Sequence, residues 1–443
     1  MTAATDRVRP LSRPGGVFDR ARAFAFTRRG LVTGWAALHL AYALSLLPIL
    51  LVGGTEGDLP LYRQWAQEAL HGVIPVFDEP WVYPAGALVP IMLSILAGPW
   101  AFQLVWLVLL SAGNLAALAA ITGGFRRRSA YPAAWYWLLI VLLLAPVSML
   151  RLEGAAAPFA IAGLVWVVRR PAVAGVMLAA ATWIKVWPAA LAAAAVTVAR
   201  TRTRIIVGGV ALSAGIVAVV AIGGGAANIL SFATIQTDRA LQLEAPVATP
   251  WVWATVLGIP GAEIRQNWYL ATREVAGPGA HLAADLVGIM MPISVVVLVA
   301  LLWLARSRAQ RSGVLTPELE QRLIVRGAFA VTAALIVFNK VGSPQYMLWL
   351  APVVAVGLAI DYEGWRKPAT WMALTCLLTT LIFPILYLPL IDADPTAAGI
   401  LLLRNGIVIG MFVWSVVWLV KAALPSRAVA QPASALLPQP AAV

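Results

Sequence analysis

Residues 31–53 read LVTGWAALHLAYALSLLPILLVG, a stretch without a single charged side chain. It exceeds the roughly 18–20 apolar residues that a helix needs to cross a hydrocarbon core about 30 Å thick. It is also too long for the apolar part of a secretory signal, which has about 7–15 residues. Several arginines precede it, so we predict a basic cytoplasmic tail over residues 1–30, followed by a first membrane helix.

The composition shows that much of the chain resembles this stretch. Hydrophobic residues make up 61% of the 443 residues, charged residues only 12%, and the mean hydropathy is +0.85. A soluble domain carries about 25% charged residues. Because lipid offers the backbone no hydrogen-bond partners, spanning segments must be helices, and the short alternating segments of a barrel are missing. The apolar runs predict an all-α, polytopic transmembrane helical bundle of about 12 helices.

The net charge of +13 comes from short arginine clusters between the apolar runs, and not from one basic face or domain. This distribution argues against nucleic acid as a partner and is typical of proteins whose basic loops stay in the cytoplasm. We therefore predict a multi-pass plasma membrane protein with both termini cytoplasmic. The basic clusters lie at 126–128, 169–170, 200–204, 306–326 and 366–367.

This topology divides the chain into three parts. The membrane domain covers residues 31–422 and is surrounded by membrane lipids, with external loops at 53–84 and 223–281. Residues 423–443 are rich in Pro and Ala without periodicity, which predicts a disordered tail.

Two regions do not fit a simple alternation of crossings. Residues 171–199 lie between basic clusters that should share one side, so we predict a hairpin of two half-length helices meeting near Lys185 and Pro188. Such broken helices often line a water-filled cavity. Residues 84–122 must cross an odd number of times, which suggests that 84–97 enters the membrane only in part.

The sequence lacks the motifs for disulfide formation, metal binding and nucleotide binding. Cys376 is the one cysteine and lies in an apolar run, so no intrachain disulfide can form and a core position is indicated. The histidines His39, His71 and His281 lack metal-ligand spacing, and no glycine-rich phosphate or dinucleotide motif opens a helix. We predict no metal site and no cofactor.

The first external loop is the most acidic stretch and contains an amphipathic pattern. One side combines Leu61, Tyr62, Trp65 and Ala66 at helical spacing, which predicts a helix lying in the membrane surface. Asp58 stands just before it. It could cap that helix, because Pro60 follows. Alternatively, it could be the general base that accepts a proton from a sugar hydroxyl attacking an anomeric carbon, worth roughly 10²- to 10⁴-fold in rate.

Four basic side chains project towards the same outer side in this topology. Lys185 lies in the helix break between tryptophans, and Lys340 lies in the polar stretch FNKVGSPQY at 338–346. A charge near the membrane core is costly, so Lys340 either reaches the interface or has an anionic partner. Arg239 lies in a polar segment that could simply be a solvated loop, and Arg151 lies with Glu153 at the tip of a helical hairpin. Together they predict a phosphate site, since cations stabilise a leaving phosphate.

Four motifs in this order resemble those of a known family. They are Asp58 with Tyr62 and then Tyr83-Pro84, WIKVWP at 183–188, RALQLE at 239–244, and KVGSPQY at 340–346. The chain resembles, over roughly 31–420, integral membrane glycosyltransferases of the GT-C type that use polyprenyl-phosphate sugars, in particular the actinobacterial family 87 mannosyltransferases. The sequence departs from them at Ala85, where the family usually has a second proline.

The resemblance implies a GT-C-like fold and an inverting hexosyltransferase, which in that family transfers mannose. The implied donor is a polyprenyl-phosphate sugar, and the acceptor is a glycolipid or polysaccharide. Asp58 would be the general base. The donor phosphate would bind Lys340, Lys185, Arg239 and Arg151, and the substrates would contact Tyr62, Tyr83, Gln242, Glu244, Gln345 and Tyr346.

Two other classes of protein fit parts of the pattern. A transporter or flippase of a lipid-linked saccharide would also need broken helices around an outward cavity. It should, however, present polar residues to both faces, whereas the external ones here are concentrated on one side. A membrane scaffold without enzymatic activity would not depend on Asp58 or Lys340.

Overall fold

In a computed structural model, which describes residues 16–234, 239–268 and 272–424, the protein is almost entirely helical. The helices of the first half are α1 (Val17–Ala25), α2 (Arg28–Ser45), α3 (Leu47–Leu51), α4 (Leu59–Leu70), α5 (Leu88–Ile95), α6 (Phe102–Ile121), α7 (Tyr131–Leu143), α8 (Ala145–Met149), α9 (Leu152–Trp166), α10 (Pro171–Ile184), α11 (Ala189–Val198) and α12 (Arg202–Ile222). The second half contains α13 (Ser231–Thr234), α14 (Thr249–Val256), β1 (Glu263–Asn267), β2 (Thr272–Ala276), α15 (Ala280–Arg311), α16 (Pro317–Val337), α17 (Met347–Ile360), α18 (Tyr362–Thr380), α19 (Tyr387–Ile391) and α20 (Pro395–Ala423).

Among the described residues, 5 helices are long and apolar enough to cross a membrane, which confirms a helical membrane protein. They are Pro99–Ile121, Arg202–Ile222, Ala280–Arg311, Tyr362–Ile385 and Pro395–Ala423. Shorter apolar helices complete the bundle: Ala85–Ile95, Leu152–Trp166, Pro171–Ile184, Ala189–Val198 and Pro344–Ile360. The number of about 12 crossings stays a prediction. Most of the two predicted tails, 1–15 and 425–443, lies outside the described residues.

The first apolar stretch is not one helix, contrary to the prediction for 31–53. It consists of α2 and α3, which meet at Leu46, and Pro48 lies in the first turn of α3. Proline has no N–H to donate and its ring clashes with the preceding turn. Proline therefore favours the start of a new helix at this position, although Pro158, Pro292, Pro352 and Pro368 lie inside continuous helices.

The two predicted half-length helices over 171–199 are present as α10 and α11. Between them Lys185 has extended backbone angles (φ −150°, ψ 138°), and Pro188 directly precedes α11. The short helical segment Ala85–Ile95, followed by the long one at Pro99–Ile121, also agrees with the suggestion that 84–97 is too short for a full crossing.

A small antiparallel hairpin departs from the all-α prediction. β1 pairs with β2 from Glu263 opposite Ala276 to Asn267 opposite Thr272, with the connecting residues 269–271 outside the described part. The two strands are short and mostly polar, so their alternation was too weak to detect within a long external segment.

The core of the bundle surrounds α17, whose residues from Met347 to Leu358 are all buried. This helix packs against α7, α9, α16 and α18. By contrast, α12 and α15 expose apolar side chains, including Val219 at 63% and Val296 at 68%. Apolar faces of this kind are expected where helices contact lipid.

The predicted basic loops contact one another at one end of the bundle. The Arg127 guanidinium donates to the Ala359 carbonyl at 2.7 Å, and Arg306 donates to the Val198 carbonyl at 2.9 Å. Arg200 pairs with Glu320 at 3.7 Å. These contacts bring together segments that are far apart in sequence. The cytoplasmic assignment of this end stays a prediction.

Candidate functional site

Asp58 occupies the N-cap position of α4, but its side chain forms no capping hydrogen bond. Its Oδ2 lies 3.4 Å from Nη1 of Arg151 and accepts a hydrogen bond from the Tyr62 hydroxyl at 3.3 Å. The side chain is 27% exposed. Capping does not explain this aspartate, and its carboxylate remains accessible to a small ligand.

The position of Asp58 follows from the amphipathic character of α4. Leu59, Tyr62 and Ala66 are fully buried, whereas Leu61 on the other side is 43% exposed. The Tyr62 ring packs 5.3 Å from that of Trp106 in α6. The predicted helix is therefore present, but Leu61, predicted on the same face as Tyr62, is exposed. The buried face of the helix holds Asp58 against the bundle.

Arg151 connects Asp58 to the KVGSPQY motif. It lies in extended conformation between α8 and α9. Besides the ion pair with Asp58, its Nη1 donates to Oε1 of Gln345 at 2.8 Å, and its guanidinium lies 5.7 Å from the Phe383 ring. Two of the predicted motifs thus meet at one arginine.

Lys185 lies in the break between α10 and α11 and has a carboxylate partner. Its Nζ is 3.2 Å from Oε1 of Glu153 and 4.1 Å from the centre of the Tyr83 ring. Glu153 is only 1% exposed. The sequence suggested no binding role for Glu153, although a carboxylate next to an apolar run was the available signal.

Aromatic rings extend this site from Lys185 towards Tyr346. Tyr346 stacks on Trp349 with ring centres 3.8 Å apart, and Trp349 lies parallel to Trp187 at 6.3 Å. The WIKVWP and KVGSPQY motifs are therefore adjacent in space.

The RALQLE motif packs directly against KVGSPQY. The Gln242 amide donates to the Lys340 carbonyl at 2.9 Å, and its side-chain Oε1 accepts from the Gly342 amide at 3.2 Å. A Cβ on Gly342 would lie 2.2 Å from the Ala245 backbone. Only glycine permits this close approach.

The same segment is also tied to the hairpin. The Leu243 amide donates to the Arg273 carbonyl, and the Val275 amide donates to the Leu241 carbonyl, both at 2.9 Å. Residues 241–243 are consequently held on two sides.

Arg239 and Lys340 lie at the ends of these paired segments and are half-buried. The Nε of Arg239 is buried and has no hydrogen-bond partner among the described residues. Gln236 and Asp238, polar residues of the same external segment, lie outside the described residues.

Glu244 has a partner that the sequence did not suggest. It is buried, and its Oε2 lies 3.1 Å from Nη1 of Arg404 in α20. Its role as a substrate contact stays a prediction, but its carboxylate is already paired. Arg404 was missed, although a lone arginine inside the long apolar run at 397–420 is costly in a membrane and should have drawn notice.

The surroundings of Asp58 make it a stronger base than an exposed aspartate. Burial raises the pKa of Asp58 above the ordinary value of 3.8, while the cations of Arg151 and Lys185 and the hydrogen bond from Tyr62 act in the opposite direction. Burial also raises the pKa of Tyr62 well above 10, so that its hydroxyl stays protonated and donates. A carboxylate with a raised pKa accepts a proton more readily.

An apolar cavity of about 330 Å³ lies between α5, α6, α9 and α10. Its lining includes Gly154 and Ile184, the chain neighbours of Glu153 and Lys185. Other lining residues, Val89 and Leu93, are exposed on the outside of the bundle. The cavity therefore opens at the apolar surface, and its lining includes the residues next in sequence to the Lys185–Glu153 pair but not the pair itself.

The site lies at the opposite end of the bundle from the basic loops. Helices α9, α10, α16 and α17 each have one end beside a basic cluster and the other end beside Arg151, Lys185 or the 340–346 segment. Across the described ranges, no group of three histidine, cysteine or acidic side chains is placed to hold a metal ion. Compared with models of known protein families, with curated proteins and with solved structures, the chain matches none.

Proposed function

We propose that the protein is a membrane glycosyltransferase of the GT-C type, which moves a hexose from a polyprenyl monophosphate to a glycolipid or polysaccharide acceptor. We take the hexose to be mannose because the sequence resembles the family 87 mannosyltransferases. The observation that supports this most is the ion pair of Asp58 with Arg151 at 3.4 Å, beside a second cation, Lys185. A base and phosphate-binding cations at one site are what sugar transfer from a phosphate needs.

The reaction proceeds in one displacement. The acceptor hydroxyl oxygen bonds to the anomeric carbon of the donor while the bond from that carbon to the phosphate oxygen breaks. The hydroxyl proton passes to the Asp58 carboxylate. Polyprenyl phosphate leaves with the bonding electron pair and one additional negative charge. Because the hydroxyl attacks from the side opposite the leaving group, the anomeric configuration is inverted.

The cations stabilise the charge that develops on the phosphate. Arg151 and Lys185 are each paired with a carboxylate, Asp58 and Glu153. A guanidinium matches two phosphate oxygens at once, so the donor phosphate would share Arg151 with Asp58 and bind Lys185. The half-buried Arg239 and Lys340 would complete the phosphate site.

The apolar cavity supports a lipid-linked donor over a soluble one. Ile184, the residue before Lys185, lines it, and the exposed residues Val89 and Leu93 line it on the apolar outside of the bundle. A prenyl chain could therefore lie in it with its phosphate at Lys185. An apolar chain is held in such a cavity because the lining carries few polar atoms to desolvate.

The proposed orientation places the site outside the cell. With the basic loops in the cytoplasm, both termini and the basic end face inward in the plasma membrane, and the bundle makes about twelve crossings. Asp58, Arg151 and Lys185 then face the extracytoplasmic side. Nucleotide sugars stay in the cytoplasm, which favours a lipid-linked donor at this site.

The test is sugar transfer by purified protein. Wild-type protein incubated with labelled polyprenyl-phosphate mannose and a membrane lipid extract should yield a labelled product. Asp58→Asn should lower turnover by roughly 10²- to 10⁴-fold because the proton acceptor is lost, with donor binding near normal. Glu56→Gln, an exposed acid of the same loop, is the control and should keep full turnover.

Retained turnover in Asp58→Asn would refute the assignment of the base. If wild-type protein instead moves a lipid-linked sugar across a vesicle membrane without forming a new glycosidic bond, the protein is a flippase. The first result would show that Asp58 is wrongly assigned as the base, and the second that the protein is wrongly assigned as a transferase.

A further inference from the structure

We propose that Arg404 is a positioning residue, which acts through Glu244 to hold the 239–245 segment against the donor phosphate site. This inference rests on the proposed function, because the segment carries Arg239 and Gln242. Arg404 lies within α20 and has no place in the resemblance or in the transfer reaction itself.

The pair is buried and well bonded. The side chains of Arg404 and Glu244 are 1% and 3% exposed. Arg404 Nη1 lies 3.1 Å from Glu244 Oε2, and Arg404 Nη2 donates to the Glu244 backbone carbonyl at 2.5 Å. One guanidinium thus fixes both the side chain and the main chain of Glu244.

The neighbouring residue of α20 adds a second attachment. Asn405 accepts from Arg404 Nε at 3.1 Å and donates to the Thr249 hydroxyl at 2.8 Å. Helix α20 therefore holds the external segment at Glu244 and again at Thr249, close to where α14 begins. The polar groups satisfy one another, as burial in an apolar helix requires.

The 239–245 segment also contacts the 340–346 segment, which carries residues of the proposed active site. Gln242 is bonded to Lys340 and Gly342. A few residues further along, Gln345 binds Arg151 at 2.8 Å, and Arg151 pairs with Asp58 at 3.4 Å. The order of contacts runs from α20 through 242–244 and 340–345 to the proposed base.

The physical reason for a positioning role is that a buried ion pair stabilises a fold weakly. The cost of taking both charges out of water offsets most of their attraction, so an apolar pair of similar volume often folds equally well. Directional bonds to one carbonyl and one carboxylate, however, define a single position of the backbone. The pair therefore contributes geometry more than stability.

The experiment replaces the pair as a unit. Arg404→Met with Glu244→Leu keeps an apolar contact, whereas Arg404→Met alone would leave a buried unpaired carboxylate and is expected to fold poorly. In the double variant the melting temperature should stay near that of the wild type. The KM for the labelled polyprenyl-phosphate donor should rise about tenfold, with the acceptor KM unchanged, because a displaced 239–245 segment weakens the binding of the donor phosphate in the ground and transition states alike.

The control is the same replacement in an exposed pair. Glu363 and Arg366 pair at 3.2 Å with side chains 73% and 59% exposed. Glu363→Leu with Arg366→Met should leave donor KM unchanged.

A second readout is independent of sugar transfer. Hydrogen exchange at the amides of 242, 243 and 342 should accelerate in the Arg404→Met, Glu244→Leu variant. If wild-type protein shows no sugar transfer but these amides exchange faster in the double variant, the proposed function fails. The positioning role of Arg404 then stands. Unchanged exchange and donor KM would overturn the inference, and so would a loss of folded protein, which would make the pair a stability element.

Discussion

Asp58 combines a restricted environment with access to a ligand. Its side chain is 27% exposed, and its nearest cation, Arg151, is 3.4 Å away. Burial raises the pKa of Asp58, and the Arg151 cation lowers it. The carboxylate is therefore held in place, and with its raised pKa it is a better proton acceptor than a fully solvated aspartate.

The pH dependence of activity should report this balance. The base is active only when deprotonated, so kcat/KM falls as the pH drops through the pKa of Asp58. Removing the cation in Arg151→Met raises that pKa, and the loss should begin at a higher pH than in the wild type. Arg151→Lys keeps the charge and should show a smaller displacement. If kcat/KM of Arg151→Met falls at the same pH as that of the wild type, or at a lower pH, the pairing of Asp58 with Arg151 is contradicted.

At the scale of elements, the site is built from places where regular structure is interrupted. Lys185 lies between α10 and α11, Arg151 between α8 and α9, and residues 338–346 between α16 and α17. Inside a membrane helix the backbone groups bond to one another, whereas at an interruption backbone and side-chain groups can face a ligand. The 239–245 segment completes the site through its contact with Gly342.

The close contact at Gly342 gives a prediction for stability. Gly342→Ala would place a Cβ 2.2 Å from the Ala245 backbone. Overpacking of this kind costs about 1–3 kcal/mol, so we expect a lower unfolding temperature and weaker donor binding. Gly399→Ala in α20, where a Cβ meets nothing within 4 Å, should be neutral or slightly stabilising. If both variants have the same unfolding temperature, the contact between Gly342 and the Ala245 backbone does not require glycine.

The interrupted elements were largely predictable from the sequence. Prolines and charged residues within apolar runs marked the break at Lys185, and helical spacing predicted α4. The partners of buried charges were not predictable, since Glu244 and Arg404 lie 160 residues apart and only the packing of the bundle brings them together. The hairpin at β1 and β2 and the break at Leu46 were missed because their local patterns are short.

At the scale of the whole molecule, charge separates the two ends of the bundle. Basic loops meet at one end through contacts such as Arg127 with Ala359, and Asp58, Arg151 and Lys185 lie at the other. Between them lie helices with apolar, exposed faces such as α12 and α15. This polarity is what a protein needs if it is to present one end to each side of a membrane.

Cysteine labelling tests which end faces outward. Cys376 is buried in α18, so a variant with Cys376→Ala provides a background without thiols. His71→Cys, exposed at the end of α4, should react with a membrane-impermeant maleimide on intact cells. Arg366→Cys, exposed at the basic end, should react only after permeabilisation. The reverse pattern would place the site in the cytoplasm and exclude the proposed orientation.

The proposed mechanism requires that Asp58 activates the acceptor on the side of the sugar opposite the cation-bound phosphate. The most direct test is the anomeric configuration of the glycosidic bond that the enzyme makes. Purified wild-type protein would be given polyprenyl-phosphate mannose of known anomeric configuration, and the product linkage would be determined by NMR. We predict that the configuration at the anomeric carbon is the opposite of that in the donor. A product with the donor's configuration, or mannose that remains on its phosphate, would contradict direct displacement at Asp58.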